Sequence, residues 1–122
     1  MLQSELFGLL ERTADAAFCV DEQGVIRSWN AAAEKLFGYS SSEAMGKSCD
    51  QLLRGRGSLG TTVCTRELYA REAEDESTIP NFDLEVTVRS GRRIWVDMST
   101  LVFKDRRTHP RLIIQLDSDI TE

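Results

Sequence analysis

The chain has very little histidine: His109 is the only one in 122 residues. That excludes HExxH, any multi-histidine metal centre and most nucleophile–histidine–acid arrangements. Cysteine is also sparse. Cys19, Cys49 and Cys64 are odd in number and widely spaced, with no CxxC, so zinc-ribbon and thioredoxin chemistry are excluded and a reducing compartment is expected. Two prolines and eight glycines are too few for a disordered or fibrous chain. No apolar run approaches the ~18 residues of a membrane span, and no signal-peptide pattern opens the sequence. The expectation is a cytoplasmic domain with no membrane partner. Positive charge is in deficit, 15 Lys and Arg against 20 Asp and Glu, whereas phosphate binding needs a basic face. Seven of the bases lie from Arg89 to Arg111 with acids interleaved, the pattern of solvated hairpin ends rather than a nucleic-acid patch.

What is present suits one small globular domain. Hydrophobic residues make up 41% and charged residues 29%. A chain of this length buries enough surface for a single core. Residues 1–14 form an amphipathic helix, with Leu2, Leu6, Leu9, Leu10 and Thr13 on one stripe and Phe7 beside it. Residues 15–122 form the domain proper. Ala17 to Asp21 and Val25 to Trp29 read as a hairpin around Asp21-Glu22-Gln23-Gly24. Asn30 caps a helix over Ala31–Phe37 that stops at Gly38, and Ser40-x-x-Glu43 has capping-box spacing for a second. Cys49 to Leu53 reads as one more helical turn, glycines punctuate 55–60, and Thr61 to about Asp75 reads as a longer helix. Three strands complete the chain. Phe82 to Arg89 alternates cleanly, Arg93 to Phe103 puts Ile94, Val96, Met98, Thr100 and Val102 on one face, and Leu112 to Asp119 is the last. The class is α+β, with helices grouped against an antiparallel sheet.

The order and spacing of several short motifs resemble those of PAS sensory domains along nearly the whole chain. They are Phe18-Cys19-Val20-Asp21, Gly24-Val25-Ile26 and Trp29-Asn30-x-Ala32-Ala33-Glu34-x-Leu36-Phe37-Gly38-Tyr39-Ser40. Glu43-Ala44-x-Gly46-Lys47 and Arg89-Ser90-Gly91-Arg92-x-Ile94-Trp95-Val96 continue the series. The resemblance implies a PAS fold, a five-stranded antiparallel sheet with helices forming one wall of a small cavity. Asp119-Ile120-Thr121-Glu122 resembles the family's passage into a signalling linker. Residues 57–64 and 101–105 are similar to PAS domains of LuxR-type bacterial transcriptional regulators.

Gly46 to Leu53 is similar to the segment that carries the reactive cysteine of flavin-binding photosensory members, which would make Cys49 that cysteine. Its flanks differ: Ser48 and Asp50 stand where that subfamily has Asn and the phosphate-neutralising Arg. Val86, Val96 and Asp117 stand at the amides that hold the flavin ring. No flavin is expected, and Cys49 is read as a small core hydrophobe. Haem-binding members place a histidine on the central helix, where Thr61–Asp75 has none, so no haem is expected. No catalytic constellation is recognisable, and the chain is read as a non-enzyme.

Alternation and the resemblance together point Phe18, Val20, Leu84, Val86, Val96, Met98, Thr100, Gln115 and Asp117 inward, with Cys49 beside them. This lining is either a dry core or a cavity for a small, weakly polar ligand. Trp95, Leu101 and Phe103 make the opposite face apolar, so the N-terminal helix is expected to pack there, within one subunit or across a homodimer. The expected function is that of a ligand-sensing, dimerising input domain of a LuxR-type regulator, with DNA bound only by an output domain outside these residues. The alternatives are the sensor module of a histidine kinase or cyclic-nucleotide signalling enzyme, and a ligand-free interaction module.

Overall fold

The computed structural model describes residues 3–55, 82–104 and 111–120. The helix expected at 61–75, residues 105–110, Cys64 and His109 lie outside these residues. The elements are α1 (Gln3–Arg12), β1 (Ala16–Val20), β2 (Ile26–Trp29), α2 (Ala31–Phe37), α3 (Ser41–Ala44), α4 (Cys49–Leu53), β3 (Phe82–Thr87), β4 (Arg93–Lys104) and β5 (Arg111–Asp119). One antiparallel sheet runs in the order β2-β1-β5-β4-β3. The last strand therefore lies at its centre.

The first hairpin turns on Asp21. Its carboxylate accepts from the Gln23 and Val25 amides at 2.9 and 3.0 Å and pairs with Arg27 at 2.7 Å. Gly24 supplies the positive φ, 81°, that the turn requires. β1 bulges between Cys19 and Val20, which re-aims the strand while keeping Phe18 opposite Trp29.

Asn30 then does more than cap α2. Its Oδ1 accepts from the Ala33 amide at 2.9 Å and from the Ala17 amide at 3.0 Å. Its Nδ2 donates to the Leu10 carbonyl at 2.9 Å and the Asp15 carbonyl at 3.0 Å. One buried amide thus joins the end of α1, the start of β1 and the first turn of α2. The capping box at Ser40 and Glu43 forms as expected. Glu43 also pairs with Arg89, whose backbone N–H donates to the Phe37 carbonyl at 2.9 Å, so the β3–β4 hairpin is tied to the helical layer.

The main core lies between the helices and the inner sheet face. Phe18, Trp29 and Phe37 form a mutually packed trio with ring centroids 5.2–6.0 Å apart. A second, smaller cluster lies on the outer face, where Leu6 and Leu10 of α1 cover Ala17, Cys19 and Ile114. Here the structure departs from the sequence expectation. α1 covers β1 and β5 rather than the Trp95–Leu101 region, and Leu101 stays 52% exposed. Ala17 and Cys19 are small and let a helix approach closely, whereas Trp95 would hold it off. Leu9, on the expected stripe, is also exposed.

Asn30→Ala leaves two carbonyls, one of them buried, and two amides without their partner, a loss of about 3 kcal/mol. Asn30→Ser keeps the cap to Ala33 and is expected to recover only about 1 kcal/mol of it. Urea denaturation of the three proteins measures both differences, and equal stability of the alanine variant would remove Asn30 from this role.

Candidate functional site

Nine of the ten candidate residues lie on strands and Cys49 on a helix. All ten are buried. Nine share the inner face, because antiparallel partners point the same way: Phe18 opposes Gln115, Thr100 opposes Gln115, Met98 opposes Asp117 and Leu84 opposes Val96. Cys49 joins them from the first turn of α4, where Ser48 caps the helix. Gly55, just past α4, sits against Leu84, where a Cβ would come within 2.7 Å of that side chain. The helical layer therefore lies directly on β3.

The apolar members, from Phe18 to Met98, belong to one core cluster. The three polar members are set side by side at the centre of the sheet. The Thr100 hydroxyl donates to Gln115 Oε1 at 2.8 Å. Gln115 is 0% exposed and Asp117 1%. Neither Gln115 Nε2 nor either carboxylate oxygen of Asp117 has a hydrogen-bond partner among the described residues. Buried polar atoms in native proteins are nearly always paired, so such a cluster calls for a reason. Burial, with Asp97 adding repulsion of like sign, holds the Asp117 carboxyl well above the usual carboxylate range.

An open pocket of about 430 Å³ lies at this end of the sheet, between α2 and the ends of β1 and β5. Ala14, Asp15 and Ala16 form one wall, Ala32, Lys35 and Leu36 of α2 another, and Asp117, Ser118 and Asp119 the third. Sequence reasoning included Asp117 but missed Asp15 and Lys35. The signal was partly there, since Ala32, Lys35 and Leu36 are spaced i, i+3, i+4 and so share a helix face. The two described cysteines are buried free thiols. Burial pushes the Cys19 thiol up to about 11, against a smaller lowering by a Ser28 hydrogen bond, so it stays a thiol at neutral pH. No helix of the described residues is long and apolar enough to cross a membrane.

The raised Asp117 carboxyl carries a stability signature. Its proton is held more tightly in the folded than in the unfolded chain, so its stabilising contribution is complete below the unfolded value near 3.8. That contribution is lost as pH rises from there through the group's own higher value. Asp117→Asn cannot ionise and is expected to remove this loss, gaining at least about 1 kcal/mol over wild type at pH 8 and nothing at pH 3. Denaturation curves across pH check it, and parallel pH profiles for the two proteins would contradict it.

Comparison with known proteins agrees with this geometry. Among solved structures, a PAS domain from Colwellia psychrerythraea superposes with a TM-score of 0.72 at 20% identity, covering 97% of this chain and 96% of that one. A PAS domain from a two-component sensor histidine kinase gives 0.69 at 19% identity, covering 96% and 99%. The PAS domain of nitrogen regulation protein NR(II) from Vibrio parahaemolyticus gives 0.67 at 22%, covering 90% and 94%. At these identities the likeness concerns the fold alone. The family described as PAS fold matches residues 4–114, nearly the full length, and with the five-stranded sheet and its helical layer this establishes that the chain belongs to the PAS family.

Proposed function

We propose that the domain senses a small, weakly polar molecule held on the inner sheet face, and that it acts as the non-enzymatic input module of a cytoplasmic bacterial regulator. One observation carries this reading: a fully buried amide nitrogen and a fully buried carboxyl stand side by side with no hydrogen-bond partner among the described residues. A ligand bearing one or two hydrogen-bonding groups would satisfy both, while Val86, Val96 and Met98 give dispersion contact to its apolar part. Flavin and haem are left out of the reading. Val86 and Val96 offer a flavin ring edge no hydrogen bond, and Asp117 offers it a carboxyl where the photosensory members have an amide. The sequence similarity of residues 57–64 and 101–105 favours a LuxR-type transcriptional regulator over a kinase or cyclic-nucleotide enzyme, with DNA contacted by a separate output domain.

The route to output is short. Gln115 and Asp117 lie on β5, and the ladder continues past it through the Ile120 N–H bond to the Trp95 carbonyl at 2.9 Å. A ligand that binds two settings of this strand unequally shifts the segment attached to its end.

Backbone chemical shifts on titration with benzyl alcohol, cyclohexanol and N-methylacetamide test the site. The best of such small ligands gain about 1.5 kcal/mol per heavy atom, so binding should be weak but measurable. Val96→Trp fills the inner face and is expected to abolish the shifts while the domain stays folded. No response of the wild type to any of the three would overturn the sensing reading, and undiminished shifts in the variant would place the site elsewhere.

The reading also includes a homodimer. Leu9 of α1 and Leu101 of β4 remain 53% and 52% exposed on the outer side, apolar area that a second copy would cover. Leu9→Glu with Leu101→Glu is expected to halve the mass seen in sedimentation, and a wild type that already sediments as a monomer would exclude the dimer.

A further inference from the structure

The pocket at the end of the sheet has a distinct charge. Its lining residues include three acids, Asp15, Asp117 and Asp119, and a single base, Lys35. Asp15, Asp119 and Lys35 are exposed at the rim. Asp117 is not: it is 1% exposed, with both oxygens unpartnered among the described residues. The sheet offers it no cation, for its cross-strand neighbours are Met98 and Ala16. Asp97 on β4 adds only like charge. A buried carboxyl in such surroundings either keeps its proton or meets a cation. An anionic ligand would face the acidic side chains of Asp15 and Asp119 at the rim and the buried, unpaired carboxyl of Asp117. A neutral one would leave the lining uncompensated.

We propose that this pocket takes a small organic cation, a primary ammonium or amidinium group on a compact apolar body, with its head on the Asp117 carboxyl. The proposal rests on the reading that the inner face is the sensing site, and it fixes the charge of what is sensed. The apolar body lies against Ala16, Ala32 and Leu36. The exposed Lys35 chain is the part of the wall that yields to the entering head group. When an ammonium group docks, the Asp117 O–H bond breaks, its proton leaves to solvent, and the carboxylate remains paired with the unchanged ammonium. The groups that set the local field are Asp15 ahead of β1, Lys35 on α2, Asp97 on β4 and Asp119 on β5.

Benzylamine and benzyl alcohol, nearly equal in shape, separate charge from size. Calorimetry on the intact chain at pH 7, in two buffers of different ionisation heat, reads both affinity and proton release. The ammonium compound is expected to bind at least about tenfold tighter than the alcohol, with up to about one proton released per molecule bound. Asp117→Asn should lose that tenfold preference. Lys35→Gln, on an exposed side chain whose loss does not threaten folding, should tighten the amine roughly twofold or more by removing a like charge. Equal affinities, or a tighter alcohol, would overturn the cation and leave the sensing reading standing. Amine binding indifferent to both substitutions would also overturn it, as would no amine binding at all. The sensing reading itself fails only with the neutral panel and Val96→Trp.

Discussion

The structure depends on the side-chain amide of Asn30. It uses both donors and its acceptor oxygen on backbone groups of three separate elements, and it is 2% exposed. Because the carbonyl of Leu10 and the amide of Ala33 bind the same residue, the position of α1 on the outer sheet face and of α2 on the inner face are not independent. The pocket walls inherit that constraint. Asp15 and Ala16 are held from one side of Asn30, and Ala32, Lys35 and Leu36 come directly after it on the other. A helix cap is ordinarily a local device. Here it sets the relative placement of two layers.

Much of the fold was legible in the residues because the signals were local. Period-two alternation assigned Leu84, Val86 and Val88 and Ile94, Val96, Met98 and Thr100 to the inner face, and these side chains are buried there. Asn30, Ser40 with Glu43, and Gly38 marked helix ends through chemistry that acts over three or four residues. The docking of α1 was not legible in the same way. An apolar stripe states that a helix needs cover, but the choice of Ala17 and Cys19 over Trp95 depends on how closely two backbones can approach, which no periodicity records. The pocket was half legible for a similar reason. Asp117 sits on a readable face, while Asp15 and Lys35 reach it only through the packing of α2 across β1.

The inner face combines two kinds of surface. Around Phe18, Val86 and Val96 it is apolar, with every side chain part of one buried cluster. At Thr100, Gln115 and Asp117 it is polar, and only one of the possible bonds is made among the described residues. A core under selection for stability alone gains nothing from that, since each unpaired buried polar group costs about 1–3 kcal/mol. Stability yielded at one end of the sheet is the usual mark of a site.

The strand order has a consequence for how the domain comes to exist. β1 pairs with β2, and β3 with β4, across short stretches of chain, so each hairpin can close locally. Both then depend on β5 to join them, because β5 is hydrogen-bonded to β1 on one side and β4 on the other. The β1–β5 ladder spans almost the full sequence, Ala16 to Asp117, and such distant pairings form slowly. During synthesis the sheet remains two separate halves until the final strand has emerged. The strand that carries Gln115 and Asp117 is therefore also the strand that completes the sheet.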